Sequence, residues 1–132
     1  MKLLISAIAA CTLFLAWCRE GSLVQRAPSG AEALNNPLGE SAEAQRAGAK
    51  LYARECAACH GGNRKGSGKT PPLNRPEVYQ AAPGVLFWVL RNGSLRTGMP
   101  SFAHLPEPER WQIITFLRQS GAPERNENGH SR

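Results

Sequence analysis

Two cysteines three positions apart, followed at once by a histidine, constrain this chain more than any other stretch: Cys56-Ala57-Ala58-Cys59-His60. The spacing is an attachment signal for c-type haem, in which each thiol adds to one vinyl group of the porphyrin and the histidine projects its imidazole at the iron. Ala57 and Ala58 are small enough for the backbone between the thiols to follow the ring edge. Two other chemistries use the same pair. A structural zinc site takes four ligands, usually from a second close pair downstream. Here Cys11 and Cys18 fall in an apolar leader, and His104 and His130 are single and far apart. A redox dithiol follows a strand within a βαβ pattern, and none surrounds Cys56. The residues favour haem attachment, with Cys56 and Cys59 as covalent anchors and His60 as an axial ligand.

The leader points to the same compartment. From Leu3 to Trp17 only Ser6 and Thr12 interrupt an apolar run that follows Lys2. A short basic region and an apolar segment of this length form an export signal. The segment is short of the ~20 residues a spanning helix needs. Residues 1–18 are expected to be a signal peptide or lipoprotein leader, and the protein to be periplasmic or otherwise extracytoplasmic. Leu15-Ala16-Trp17-Cys18 resembles a lipobox, with Trp17 where a small residue is usual. Ile8-Ala9-Ala10-Cys11 fits locally but leaves an apolar run behind it. A lipid on Cys18 would tether the domain to a membrane surface; an ordinary leader would leave both cysteines without a role.

The chain beyond the leader suffices for one small domain. Residues 19–40 mix Pro, Gly, Asn and charge without apolar periodicity and read as a flexible tether. Residues 121–132 read as a disordered tail, which leaves 41–120 as the folded domain. A core of that size is marginal alone and needs a staple; a covalently held apolar macrocycle would be one.

The formal net charge is +6. Lys50, Arg54, Arg64, Lys65, Lys69, Arg75, Arg91 and Arg96 outnumber Glu55 and Glu77 between positions 50 and 96. Nucleic acid is a poor partner for an exported chain without a base-stacking motif. Steering toward an acidic redox protein, a dehydrogenase or terminal oxidase, or toward an anionic membrane fits better. A merely solvated surface is the plain alternative.

Ser41 can cap a helix running from Ala42 to Cys56, built from good helix formers. Gly48, Tyr52 and Cys56 fall four apart on one face. After His60, residues 61–70 form a loop by composition; without a strand before it and a helix after it, the glycine run is no phosphate cradle. A carbonyl from Pro71 or Pro72 is placed to accept a hydrogen bond from the second ring nitrogen of His60, and Leu73 to pack on the macrocycle. Pro83 to Gly93 reads as a short helix opened by proline and closed by Asn92-Gly93, apolar nearly all round and so buried. Its Trp88 is a candidate donor to a haem propionate; core packing explains it equally well. Apart from the initiator, Met99 is the only methionine, and it sits on a constrained Gly98-Met99-Pro100 loop. That is a poor use of a flexible core filler and a good one for a thioether opposite His60; His104 is the rival. Pro106 to Gln119 reads as the last helix, with Trp111, Ile113, Ile114, Phe116 and Leu117 as its buried stripe and Gly121 as its stop.

Over residues 42 to 119 the chain resembles a class I, monohaem cytochrome c of bacterial type. Cys56-Ala57-Ala58-Cys59-His60 matches that family's haem motif. Gly48 and Tyr52 match its N-terminal helix, Pro71 and Leu73 its P-x-L segment, Met99 its ligand loop and Phe116 its C-terminal helix. Two departures are a proline in place of the usual Ser/Thr cap of the last helix and the doubled Pro71-Pro72. The resemblance implies an all-α fold of three to four helices around one covalently attached haem c, with the terminal helices crossing near Gly48 and Phe116. It implies outer-sphere electron transfer with no catalytic residues. Two further readings stand beside a free carrier: an electron-accepting subunit of an exported dehydrogenase or oxidase complex, and an open-site haem enzyme or gas-binding protein.

Overall fold

A computed structural model describes residues 22–121; the expected leader and nearly all of the expected tail lie outside them. Among the described residues five α-helices occur in order: α1 (Ala42–Glu55), α2 (Ala57–His60), α3 (Pro76–Tyr79), α4 (Pro83–Asn92) and α5 (Glu107–Gly121). Two of these, α2 and α3, are single turns, so three helices form the frame. No strand occurs among the described residues; only the isolated bridges Ser67↔Thr70 and Ser94↔Met99 do.

Local chemistry sets the helix ends. The Ser41 hydroxyl accepts from Ala44 N at 3.1 Å, closing one open donor of α1. Pro83 opens α4. Gly93, with φ +60, ends it where a Cβ would stand 2.5 Å from Pro100 O and 2.6 Å from Met99 O, so no side chain fits beneath the methionine loop.

The frame is the crossing of α1 and α5. At Gly48 a Cβ would overlap the Gln112 carbonyl oxygen and stand 2.6 Å from its carbon and 2.9 Å from Phe116 Cβ. The expected crossing near Gly48 and Phe116 is thus present in atomic contact. Around it, Trp111, Tyr52, Ile113 and Ile114 are fully buried, each contributing roughly 1.5–3 kcal/mol through its apolar area. Phe87 of α4 stacks on Trp111 with ring centroids 4.2 Å apart and planes 21° apart. Between α1 and α5, the exposed ion pair of Arg54 with Glu109 at 3.3 Å adds little, because water screens both charges.

The segment before α1 departs from the flexible tether expected over 19–40. From Ser22 onward it makes two 3-10 turns, Leu23–Arg26 and Ala31–Ala33, and lies against the helices as a strap. Val24 and Leu38 pack on the core. Asn36 Nδ2 donates to Thr115 Oγ1 at 2.8 Å, and that hydroxyl donates to Gly39 O at 3.2 Å. At Gly84 a Cβ would overlap the Ala31 carbonyl oxygen, so strap and α4 touch backbone to backbone. Scattered Leu, Val and Asn side chains anchor a 3-10 path without any helix or strand period, which is why the composition reads as loose chain.

Candidate functional site

Cys56 ends α1 and Cys59 and His60 lie on the next turn, where Cys59 N and His60 N both bond back to Cys56 O. One helical turn therefore sets all three groups on a short arc. Cys56 is buried, Cys59 is exposed, and neither is in a disulfide. Burial, then Glu55, then the Cys59 thiol push the Cys56 thiol from 9.0 up to about 12, so it stays protonated at neutral pH.

His60 Nδ1 lies 2.9 Å from Pro71 O. A carbonyl only accepts, so Nδ1 carries the hydrogen and Nε2 keeps its lone pair for a metal. Of the two adjacent prolines, Pro71 makes the contact. The intervening loop is tied at several points: Gly66 N donates to His60 O at 2.8 Å and Leu73 N to Arg64 O at 2.8 Å. Arg64 sits at φ +61, an uncommon setting for a side-chain-bearing residue. It is held there at its far end: Nη2 donates to Ser120 O at 3.0 Å and the guanidinium lies 5.1 Å from the Phe116 ring centroid.

Cys56 belongs to the apolar core, and Ala57, Leu73 and Met99 pack against the same cluster. Met99 is half-buried on a loop closed by two bonds, Ser94 N to Met99 O at 2.8 Å and Met99 N to Ser94 O at 3.0 Å. Thus Cys56, Leu73 and Met99 share one apolar cluster, and the His60–Pro71 contact lies one turn beyond Cys56. His104 is exposed, 6.0 Å from the Phe102 ring. Trp88 lines a cavity of about 470 Å³ between strap and α4, with Pro28, Leu34, Arg91 and Asn92.

These residues fit a covalently bound haem. Two unpaired thiols at the required spacing, an imidazole with one nitrogen already oriented and a thioether on a fixed loop are the groups that would hold it. No group of three or more His, Cys, Asp and Glu side chains converges among the described residues.

Three contacts escape a sequence reading. Tyr52, expected only as a helix-face aromatic, donates its hydroxyl to Gly61 O at 2.7 Å, bracing the turn after His60. Arg64, which the sequence groups with the surface charges, is partly buried against Phe116. Arg110 is buried altogether. Nothing in a sequence distinguishes an arginine that stacks on a ring from one that is solvated.

The Tyr52 bond carries a pH signature. Burial above all, then the Cys56 thiol, raises the phenol from 10.0 to about 12, with Arg64 pulling the other way. The folded chain keeps a proton that the unfolded chain releases near its ordinary value, so stability falls as pH rises through that window. Urea midpoints of the wild type should fall more steeply with pH there than those of Tyr52→Phe; parallel curves would show that the phenol contributes nothing.

A family model described as cytochrome C oxidase, cbb3-type, subunit III matches residues 43–117. Quinohemoprotein alcohol dehydrogenase ADH-IIG of Pseudomonas putida is 42% identical over 74 residues, which are 54% of this chain and 10% of that protein. The chain therefore spans about a tenth of that relative's length. No solved structure matches.

Proposed function

We propose, since this chain belongs to the cbb3-type cytochrome c oxidase subunit III family of c-type cytochromes, that His60 and Met99 are the axial ligands of its haem iron and that it carries electrons outside the cytoplasm. The role of such a domain is electron transfer, and its cofactor is one covalent haem c. When bound, that group supplies one-electron exchange between ferric and ferrous iron.

The chain's own residues do the holding. Cys56 and Cys59 fix the ring edge through two thioethers. The Pro71 carbonyl keeps the His60 imidazole in one tautomer and one orientation, which strengthens Nε2 as a donor. Leu73 would pack on the macrocycle. Met99 would offer its thioether to the iron, which excludes other ligands and favours the ferrous state. Trp88, in its cavity beside the strap, is left as a core contact or a propionate donor. The observation that carries this reading is the His60–Pro71 contact on the turn that holds both thiols.

Exposed Lys50, Lys65, Lys69, Arg75, Arg91 and Arg96 would steer an acidic redox partner, a dehydrogenase or terminal oxidase. Leu95, wholly exposed at the tip of the methionine loop, offers that partner an apolar contact. The likeness to part of a quinohemoprotein dehydrogenase favours a second reading, an electron-accepting subunit of an exported dehydrogenase or oxidase complex. Either form is compatible with a leader over residues 1–18 and a lipid on Cys18. No helix among the described residues is long and apolar enough to cross a membrane.

The test is the absorption spectrum of protein matured with haem-attachment machinery. Sharp low-spin bands with a weak far-red Met–ferric band are expected. Met99→Ala should then lose the far-red band and bind cyanide at least about tenfold more tightly, ~1.4 kcal/mol. A high-spin wild type would return the open-site reading, and unchanged cyanide binding would remove Met99 from the iron.

A further inference from the structure

Arg110, in the first turns of α5, is nine-tenths buried. Its Nη1 faces three backbone carbonyls, Phe102 O at 3.3 Å, Ala103 O at 3.1 Å and Leu105 O at 2.9 Å. The guanidinium lies 4.8 Å from the Phe87 ring centroid. Its Nε is buried without a hydrogen-bond partner, and its guanidinium meets backbone carbonyls and a ring rather than a carboxylate. A cation removed from water without a carboxylate is a costly way to fill a core position. Its placement answers to what it holds.

The three carbonyls belong to the segment that begins three residues after Met99. The same stretch is tied to the end of α4 on its other side. Phe102 N donates to Leu90 O at 2.8 Å and the Ser101 hydroxyl to Arg91 O at 2.6 Å. Ser94 and Met99 close the loop above Gly93. Residues 99–105 therefore run between two fixed bodies, the C-terminal end of α4 and the Arg110 guanidinium. A neutral thioether is a weak donor, and a small drift of its loop exchanges it for another ligand. Arginine suits the position because its planar fork both stacks on Phe87 and reaches converging acceptors.

We propose that Arg110 is a positioning residue for Met99, fixing the backbone that follows the methionine so that its sulfur stays at the iron. The proposal rests on the ligand role assigned to Met99 under the proposed function.

The experiment compares holoprotein of the wild type, Arg110→Gln, Arg110→Lys and the core variant Ile113→Ala. The readouts are the far-red Met–ferric band, ferric cyanide affinity and urea midpoint. Arg110→Gln should lose most of the band and bind cyanide more than about threefold more tightly than the wild type, with Arg110→Lys between them. Ile113→Ala should lower the urea midpoint and leave band and affinity as in the wild type. A cyanide affinity of Arg110→Gln within about threefold of that of Ile113→Ala overturns the proposal, whatever the urea midpoints. If Arg110→Gln yields no holoprotein, Arg110→Lys decides on the same criterion. A wild type without the band, whose cyanide affinity Met99→Ala leaves unchanged, refutes the Met99 ligand role; an intact wild-type band that Arg110→Gln does not move refutes only the positioning role.

Discussion

Gly48→Ala should undo the α1–α5 crossing and cost the holoprotein about 3 kcal/mol or more, although alanine is the better helix former. Two effects compete. Helix propensity favours alanine mid-helix by about 1 kcal/mol. Against it, the added methyl would overlap the Gln112 carbonyl oxygen and press on Phe116 Cβ. The obstacle is backbone of a long helix, so no rotamer change relieves it, and the helices must part across the most extensive contact in the fold. Ile113, Ile114 and Tyr52, all fully buried at this seam, would lose packing together. Urea unfolding followed by far-ultraviolet circular dichroism measures the outcome. A Gly48→Ala midpoint equal to or above the wild type would show that the helices can separate at little cost.

The second large effect concerns the covalent attachment. A double variant, Cys56→Ala with Cys59→Ala, should fail to retain haem through denaturing gel electrophoresis and should lose most of its helical circular dichroism at 25 °C. The reason is size as much as chemistry. A domain this small keeps only a narrow margin, and Cys56, Leu73 and Met99, which share its apolar core, are the side chains proposed to meet the cofactor. Without the macrocycle their apolar surface has nothing to face. Full helicity in the haem-free variant would show that the protein core suffices and that the cofactor is a guest in a finished fold.

Much of the fold and the site is legible in the sequence because the relevant signals are local. A five-residue motif fixes two thiols and an imidazole on one turn, and no tertiary knowledge is needed to read it. Pro83 and Gly93 bound α4, and Ser41 caps α1, because proline, glycine and serine act on their own backbone. The choice of Pro71 over Pro72 needs the fold, since both carbonyls lie at a suitable separation and only the path of the loop selects one. Arg64 and Arg110 need it more. Their side chains bury by lying along rings contributed by α5 and α4, far from them in sequence. The strap over residues 22–40 reads wrongly as loose chain for a related reason: its anchors, such as Asn36 on Thr115, are single long-range contacts that leave no period in the sequence.

That strap also bears on how far the domain could wander. A flexible run over residues 19–40 would act as a leash with a mean span of roughly 26 Å. With Ser22 onward fastened to the helices, and were Cys18 to carry the proposed lipid, residues 19–21 alone would separate it from the folded body, a reach of about 10 Å even when fully drawn out. Held so closely, the domain would present one fixed face to the surface beneath it and another to the aqueous side. Encounters would then depend on the partner's approach, and the local concentration of a membrane-bound donor, rather than free diffusion, would govern the pace of electron exchange.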